Sequence, residues 1–130
     1  SFEKDQIAGL LSTAVTADTI RPRHYVDRET RIDAVRIYRG EGSSAGVTDI
    51  DIQASIGGAA MASILSATTS FSFAVEGALP ARKVALLDTG NAAWDGEGIV
   101  LQAGDSFEVK IVTAETDAIG METSFELVVG

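Results

Sequence analysis

The single histidine, His24, is the residue on which any serine-histidine-aspartate catalysis in this chain would depend. It lies in a basic segment, residues 21–25, where neighbouring arginines disfavour the imidazolium ion that such a mechanism forms. We therefore expect His24 at the surface or at a strand edge. No catalytic residue is assigned, and the chain is predicted to have no enzymatic activity.

The loop with most ligand-forming residues spans residues 88–98 and contains Trp94, the only tryptophan. Carboxylate and amide oxygens in such a run can coordinate Ca²⁺, and an exposed indole can stack on a sugar. Two positions that carry ligands in an EF-hand are a glycine and an alanine here. We expect a turn-rich connection with no metal or cofactor, in which Trp94 covers one end of the core. If the loop binds a ligand, the candidate residues are Asp88, Asn91, Trp94 and Asp95.

Asp49 and Asp51 are two residues apart in an alternating segment, which places both carboxylates on one face of a strand. Glycosidase carboxylates instead face each other across a cleft between elements. The pair is therefore predicted to lie on a solvated strand face.

The net charge of −9 is unevenly distributed, because residues 1–39 carry +1 and residues 40–130 carry −10. This acidity argues against nucleic-acid binding. The arginines of the N-terminal third could instead dock an acidic neighbour, and a second copy could supply the acid, which favours a homo-oligomer and among these a trimer. The alternative is a solvated edge balanced by Asp27, Glu29 and Asp33. The candidate interface residues are Arg21, Arg23, Arg28 and Arg31.

Hydrophobic residues recur with a period of two, as is typical of strands with one dry face. Residues 47–56, 105–113 and 122–129 are predicted strands. The buried side chains predicted for them are Ile50, Ile52, Phe107, Val109, Ile111, Phe125 and Leu127. The phenylalanines, including Phe71 and Phe73 in a strand that continues to Val75, are assigned mostly to the core.

The remaining segments are less regular. Residues 30–39 predict a strand in which a β-bulge near Ala34-Val35 returns Ile32 and Ile37 to one face. Residues 82–87 and 99–103 predict short strands, and residues 59–65 fit either a helix or a strand. A first strand is expected near residues 10–16, although residues 5–11 could begin as a helical turn. Turn-forming residues separate these segments throughout.

About eight short strands in 130 residues predict an all-β protein: a two-sheet antiparallel β-sandwich with jelly-roll or Greek-key topology. We expect one domain over residues 1–130, with residues 1–8 as an extended arm or a helical turn. The chain contains no cysteine, which excludes disulfides and thiolate metal sites. Its longest run of small apolar residues is too short for a membrane span, so no membrane is expected as a partner.

Several stretches together resemble the small jelly-roll accessory domains of tailed-bacteriophage virion proteins, including head decoration proteins and fibre heads. The resemblance covers residues 9–129, and one departure from it is the Ser-Ile-Gly-Gly at residues 55–58, where such domains often have Asn-Gly. The matching stretches are the strand at 28–35, the glycine-rich loop at 40–46, Val-Thr-Asp-Ile-Asp-Ile at 47–52, Leu-Gln-Ala-Gly-Asp at 101–105, and the strand at 124–129.

This resemblance implies a role in virion assembly or in receptor contact. The preferred interpretation is a capsid decoration or cement protein that bridges shell subunits, with the viral capsid or other virion proteins as partners. It implies assembly in the host cytoplasm and residence in the virion. The alternative is a carbohydrate- or receptor-binding module of a phage fibre or a secreted enzyme.

Overall fold

The computed structural model describes the backbone of residues 3–14, 23–41, 45–116 and 119–130. It describes the side chains of residues 23–41, 45–116 and 120–130. Among these residues, no helix has the length and apolar character needed to cross a membrane.

Two antiparallel sheets of five strands each make up the described chain. In sheet A the strands are β1 (Glu3–Ala14), β10 (Ile119–Val129), β3 (Thr30–Glu41), and β7 (Ala81–Val84) and β8 (Ile99–Leu101), which both pair with β3. In sheet B they are β2 (His24–Tyr25), β9 (Ser106–Thr113), β4 (Val47–Ser55), and β5 (Ala62–Ser63) and β6 (Thr69–Ser72), which both pair with β4. A single helical turn, α1 (Phe73–Glu76), follows β6.

The strand order is that of a jelly roll. From β1 to β4 the chain alternates between sheets A and B, and β10 later inserts between β1 and β3 while β9 inserts between β2 and β4. Because β5 and β6 share one partner strand, as do β7 and β8, the described strands fill eight positions. The predicted all-β sandwich is confirmed.

The core lies between the inner faces of the two sheets, and it contains the residues expected there. All seven predicted core side chains, on β4, β9 and β10, are at most 4 % exposed. The rings of Phe107 in sheet B and Phe125 in sheet A lie 4.8 Å apart between centroids, so these two side chains join the sheets directly.

The predicted bulge in β3 is also confirmed, one residue earlier than expected. Ile32 pairs with Leu127 and Ala34 pairs with Glu126, which leaves Asp33 as the extra residue. The bulge restores the alternation, so that Ile32 and Ile37 are both fully buried on the inner face.

The Leu-Gln-Ala-Gly-Asp stretch forms a turn fixed by its aspartate. Asp105 is buried, and its carboxylate accepts the backbone N–H of Gln102 at 2.8 Å. The same carboxylate accepts the N–H of Gly57 at 3.0 Å. Asp105 therefore ties this turn to the Gly57-Gly58 turn, where the sequence departs from the phage domains.

The structure decides between two alternatives at two segments and corrects a third expectation. The helical turn considered for residues 5–11 is wrong, because β1 is a strand that pairs with β10 from Glu3 onward. Residues 3–8 therefore belong to a sheet, and residues 15–16 of the expected first strand lie outside the described part. The ambiguous residues 59–65 contain β5 and an isolated bridge from Leu65 to Leu87, with no helix.

The third expectation, that the strand of Phe71 continues through Phe73 to Val75, is wrong. Phe73 and Val75 are exposed rather than buried. The strand ends at Ser72 because the Glu76 carboxylate accepts the Ser72 N–H at 2.6 Å and closes the turn α1. Local hydrogen bonding thus overrides an alternation that continues in the sequence.

Candidate functional site

His24 lies on β2, the edge strand of sheet B, and its side chain is exposed. Its ring packs 5.0 Å from that of Phe107 between centroids. The predicted surface or strand-edge position is confirmed, and the imidazole covers a core phenylalanine.

A second feature of hydrolase type is a Gly-Ser-Ser-Ala-Gly sequence at residues 42–46, which matches the Gly-x-Ser-x-Gly of a nucleophile elbow. That motif requires a strand before the serine and a helix directly after it. Here the segment joins β3 of sheet A to β4 of sheet B, so a strand follows it. The structural context of the motif is therefore not met, because β4 begins at Val47 where the motif requires a helix.

The candidate ligand loop is built from turns that use its own polar oxygens. Asp88 accepts the N–H of Gly90 at 2.9 Å, and Asn91 accepts that of Ala93 at 2.8 Å. Such side-chain to backbone bonds are ordinary turn chemistry. Trp94 is half-buried and packs against the core, in agreement with its predicted covering role.

The fourth candidate in the loop, Asp95, is held by both backbone and side chain. Its Oδ1 accepts the N–H of Glu97 at 2.9 Å and that of Gly98 at 3.0 Å. Its Oδ2 accepts from Nη1 of Arg31 at 3.3 Å. These bonds, led by the one from Glu97, hold the pKa of the Asp95 carboxyl below its ordinary value.

Arg31 is the centre of a charge cluster on β3. Its Nε donates to Asp33 at 2.5 Å, and its Nη2 lies 3.1 Å from a carboxylate oxygen of Glu97. These carboxylates raise the pKa of Arg31, with the hydrogen bond to Asp33 as the largest cause. The bulge residue Asp33 and the loop residue Asp95 therefore meet at one guanidinium, which fastens the loop to sheet A.

Gly98 shows how closely this loop approaches β3. A Cβ added there would lie 2.3 Å from the carbonyl oxygen of Ile32. We expect Gly98→Ala to lower the free energy of unfolding by about 2 kcal/mol or more, because the backbone of β3 cannot move aside without disturbing the bulge. Gly90→Ala is the matched control, since its nearest added contact is the Asp88 side chain at 3.2 Å. Equal denaturant midpoints for the two variants would contradict the close approach.

The lowered pKa of Asp95 has a consequence for stability against pH. A carboxyl with a depressed folded-state pKa contributes stability above its ordinary pKa of about 3.8, and that contribution is lost as the pH falls through the folded-state pKa. We expect Asp95→Asn to be less stable than the wild type at pH 7. The difference should shrink steadily below about pH 4 in urea titrations. A difference that is constant from pH 7 to pH 2 would contradict the assignment.

The other candidate interface arginines have less specific surroundings. Arg21 lies outside the described residues. Arg23 has its Nε 3.9 Å from Glu108, and Arg28 has its Nε 3.5 Å from Asp27. Arg28 and Asp27 are both largely exposed, so this pair is worth little to stability.

A buried ion pair that the sequence analysis missed joins Arg39 and Glu115, which are 1 % and 0 % exposed. Nη1 of Arg39 donates to both carboxylate oxygens of Glu115, at 3.1 and 3.2 Å. Thr48 donates to the same carboxylate at 3.1 Å. Arg39 occupies the inward position after Val35 and Ile37, so the alternation of β3 carried a signal for its burial.

Nη2 of Arg39 reaches the chain segment after α1. It donates to the carbonyl oxygens of Gly77 and Leu79 at 2.7 and 2.8 Å. The buried pair therefore fixes the loop that leads into β7.

The prediction for the two strand carboxylates is wrong for Asp51, which is buried. Its Oδ1 accepts from the Ser63 hydroxyl at 2.5 Å, because β5 lies beside this end of β4. Asp49 is half-buried and accepts from the hydroxyls of Ser70 and Thr113. Both carboxylates are engaged by neighbouring strands.

The outer face of sheet A carries an open groove of about 490 Å³. Its lining is polar and comes from β3, β7 and β10: Arg36, Tyr38, Arg82, Glu122 and Ser124. Cross-strand pairing sets Tyr38 beside Arg82, and Arg36 beside the exposed Val84. No local sequence pattern marks this groove, because it depends on which strands are neighbours.

Comparison with known proteins gives structural matches only. No protein-family model matches the chain, and no curated protein matches its sequence. A chain in the capsid of Ralstonia phage GP4 has a TM-score of 0.60 at 12% identity, and the match covers 100% of this chain and 85% of that one. This chain therefore shares its fold with a phage capsid chain of similar size.

Two further solved structures match with lower TM-scores. A chain of Bacillus endospore appendages, described as disulfide-linked pili, has a TM-score of 0.45 at 12% identity. The match covers 99% of this chain and 88% of that one. A chain of Desmodium yellow mottle tymovirus has a TM-score of 0.43 at 10% identity, and the match covers 99% of this chain and 86% of that one.

Proposed function

We propose that this chain is a non-enzymatic structural protein of a phage-like virion, and specifically a capsid decoration or cement protein that binds across junctions between shell subunits. The observation that carries the proposal is the full-length match to a chain of the Ralstonia phage GP4 capsid. The sequence resemblance to tailed-phage accessory domains supports the same role independently of that match.

The polar chemistry of the chain fits a structural role. The carboxylates that suggested a metal or catalytic site are used internally: Asp88 in a turn, Asp95 in a turn and an ion pair, and Asp51 with Ser63. These bonds fix loops to sheets. A rigid sandwich of this kind suits a protein whose work is to hold contacts in place.

The mechanism is bridging. Many copies, each with modest affinity, occupy equivalent junctions, so that opening the shell requires several contacts to break together. The strongly acidic remainder of the chain, at −10 over residues 40–130, keeps the outer surface hydrated. No cofactor takes part.

A thermal release assay tests this role. Particles from the source of the chain are depleted of the protein and heated with a dye that reports released nucleic acid. Adding back the purified protein should raise the release temperature by several degrees, whereas an unrelated acidic protein at equal concentration should not. Identical release curves with and without the protein would contradict a cement role.

Self-association through the N-terminal arginines is part of the proposal, with a trimer favoured. Arg31 already holds three carboxylates of its own chain, so Arg28, which is 58% exposed, is the better candidate for contact with a neighbouring copy. Light scattering should give a small ring that dissociates in Arg28→Ala but persists in Arg82→Ala. A strict monomer at high concentration would contradict this contact.

A receptor- or carbohydrate-binding module is the second candidate, favoured by the groove on sheet A. Its volume of about 490 Å³ falls within the range of ligand sites. Tyr38, Arg36 and Arg82 line it and supply an aromatic ring and two cationic groups. Trp94 does not contribute, since it packs on the core. Saturable changes in tyrosine fluorescence on titration with acidic oligosaccharides, abolished in Arg82→Ala, would favour this candidate over the cement role.

A further inference from the structure

Exposed hydrophobic side chains are concentrated in one stretch of the chain. The described residues include eight large hydrophobic side chains that are exposed, and five of them fall between residues 73 and 86. We call these five the apolar strip: Phe73, Val75, Leu79, Val84 and Leu86. Single exposed apolar residues are normal, whereas a contiguous group marks an interaction site. The ion pair between Glu76 of α1 and Lys83 of β7 holds the two parts of the strip side by side.

The strip is held in a fixed arrangement. Lys83 and the Ser72 N–H both bind Glu76, at 2.5 and 2.6 Å, and so anchor α1. The buried Arg39 binds the carbonyl oxygens of Gly77 and Leu79 and anchors the following loop. A surface ordered before binding loses less conformational entropy when a partner docks.

Arg82, at the border of the strip, is a basic residue in a part of the chain that is otherwise acidic. Residues 40–130 contain only three basic residues, and two of them, Arg82 and Lys83, lie within the strip's segment. Lys83 is paired with Glu76, whereas no ion pair involves Arg82 among the described residues. On sheet A, Tyr38 is the cross-strand neighbour of Arg82. Arg36, which is paired with Glu126, is the cross-strand neighbour of Val84. Tyrosine and arginine are enriched at protein interfaces.

We infer that the apolar strip is the surface by which this protein binds a shell subunit, and that its binding site there is an apolar patch bordered by carboxylates. The inference rests on the proposed function. A second copy is disfavoured as the occupant, because strip against strip would bring the Arg82 side chains of two copies together.

Binding of purified variants to shells depleted of the protein tests the inference, with sedimentation as the readout. The strip variant is Val75→Ser with Leu79→Ser and Leu86→Ser, all at exposed positions. The control is Tyr25→Ser with Val112→Ser, which removes exposed apolar groups elsewhere. We expect the strip variant to bind at least tenfold more weakly and the control to bind within about twofold of the wild type. Circular dichroism and the melting temperature verify that both remain folded.

Charge is tested separately with Arg82→Glu and Arg82→Lys. We expect the glutamate to slow association at low salt and the lysine to restore it, because the partner border is acidic. Equal binding of the strip variant and the wild type would overturn the inference and leave the proposed function intact. Failure of the wild type itself to bind would overturn the proposed function. A strip variant that instead loses self-association in light scattering would identify a second copy as the occupant and overturn the inference.

Discussion

Replacing Glu115 with alanine is expected to lower the free energy of unfolding by about 3–5 kcal/mol, because it leaves the Arg39 guanidinium buried without its carboxylate. The loss should appear as a lower midpoint in urea or guanidinium. Since Arg39 also holds the loop before β7, hydrogen exchange should become faster over residues 77–84.

Two comparisons make this expectation specific to the buried pair. Arg36→Ala removes a partly exposed ion pair with Glu126 and should cost less than about 1 kcal/mol. Arg39→Met combined with Glu115→Leu removes both charges and should be more stable than Glu115→Ala alone. A cost below 1 kcal/mol for Glu115→Ala would mean that the pair is hydrated in solution.

Truncating Phe107 to alanine should destabilise the protein by about 3–5 kcal/mol, the usual cost for a fully buried phenylalanine. Its ring is 2 % exposed and contacts Phe125 across the two sheets, so a cavity would open at the centre of the sandwich. The change is measured by chemical denaturation monitored by circular dichroism.

Phe73→Ala is the matched control for the same chemical change. That side chain is 43 % exposed on α1, so its truncation should cost less than about 1 kcal/mol. Similar losses for the two variants would contradict the assignment of Phe107 to the core and Phe73 to the surface.

The alternation of side chains accounts for most of what the sequence predicted correctly. Ile50 and Ile52 on β4, and Phe125 and Leu127 on β10, are buried because neighbouring residues of a strand face opposite sides. The same rule located the bulge in β3, since Ile32 and Ile37 reach one face only with an extra residue between them.

Where the rule failed, contacts distant in sequence or a local hydrogen bond decided the outcome. Phe73 continues the alternation of β6, yet the bond from Ser72 to Glu76 turns the chain into α1. Arg39 was not singled out among the arginines, although its position in β3 is inward. Its burial depends on Glu115, 76 residues later, which no local pattern associates with it.

The candidate sites were harder to predict than the fold for the same reason. The loop at residues 88–98 was correctly expected to form turns, because aspartate and asparagine commonly accept nearby backbone N–H groups. The salt bridge from Arg31 to Asp95 joins residues 64 apart, and the apolar strip is exposed because β6 ends at Ser72.

Electron cryomicroscopy of particles purified from the source of this chain tests the proposed function most directly. We expect density matching a two-sheet sandwich at every equivalent junction of the shell lattice, with residues 73–86 toward the shell. Density confined to the tail or fibre tips would contradict a decoration role and favour a receptor-binding module. Intact particles that lack the protein altogether would contradict a virion role.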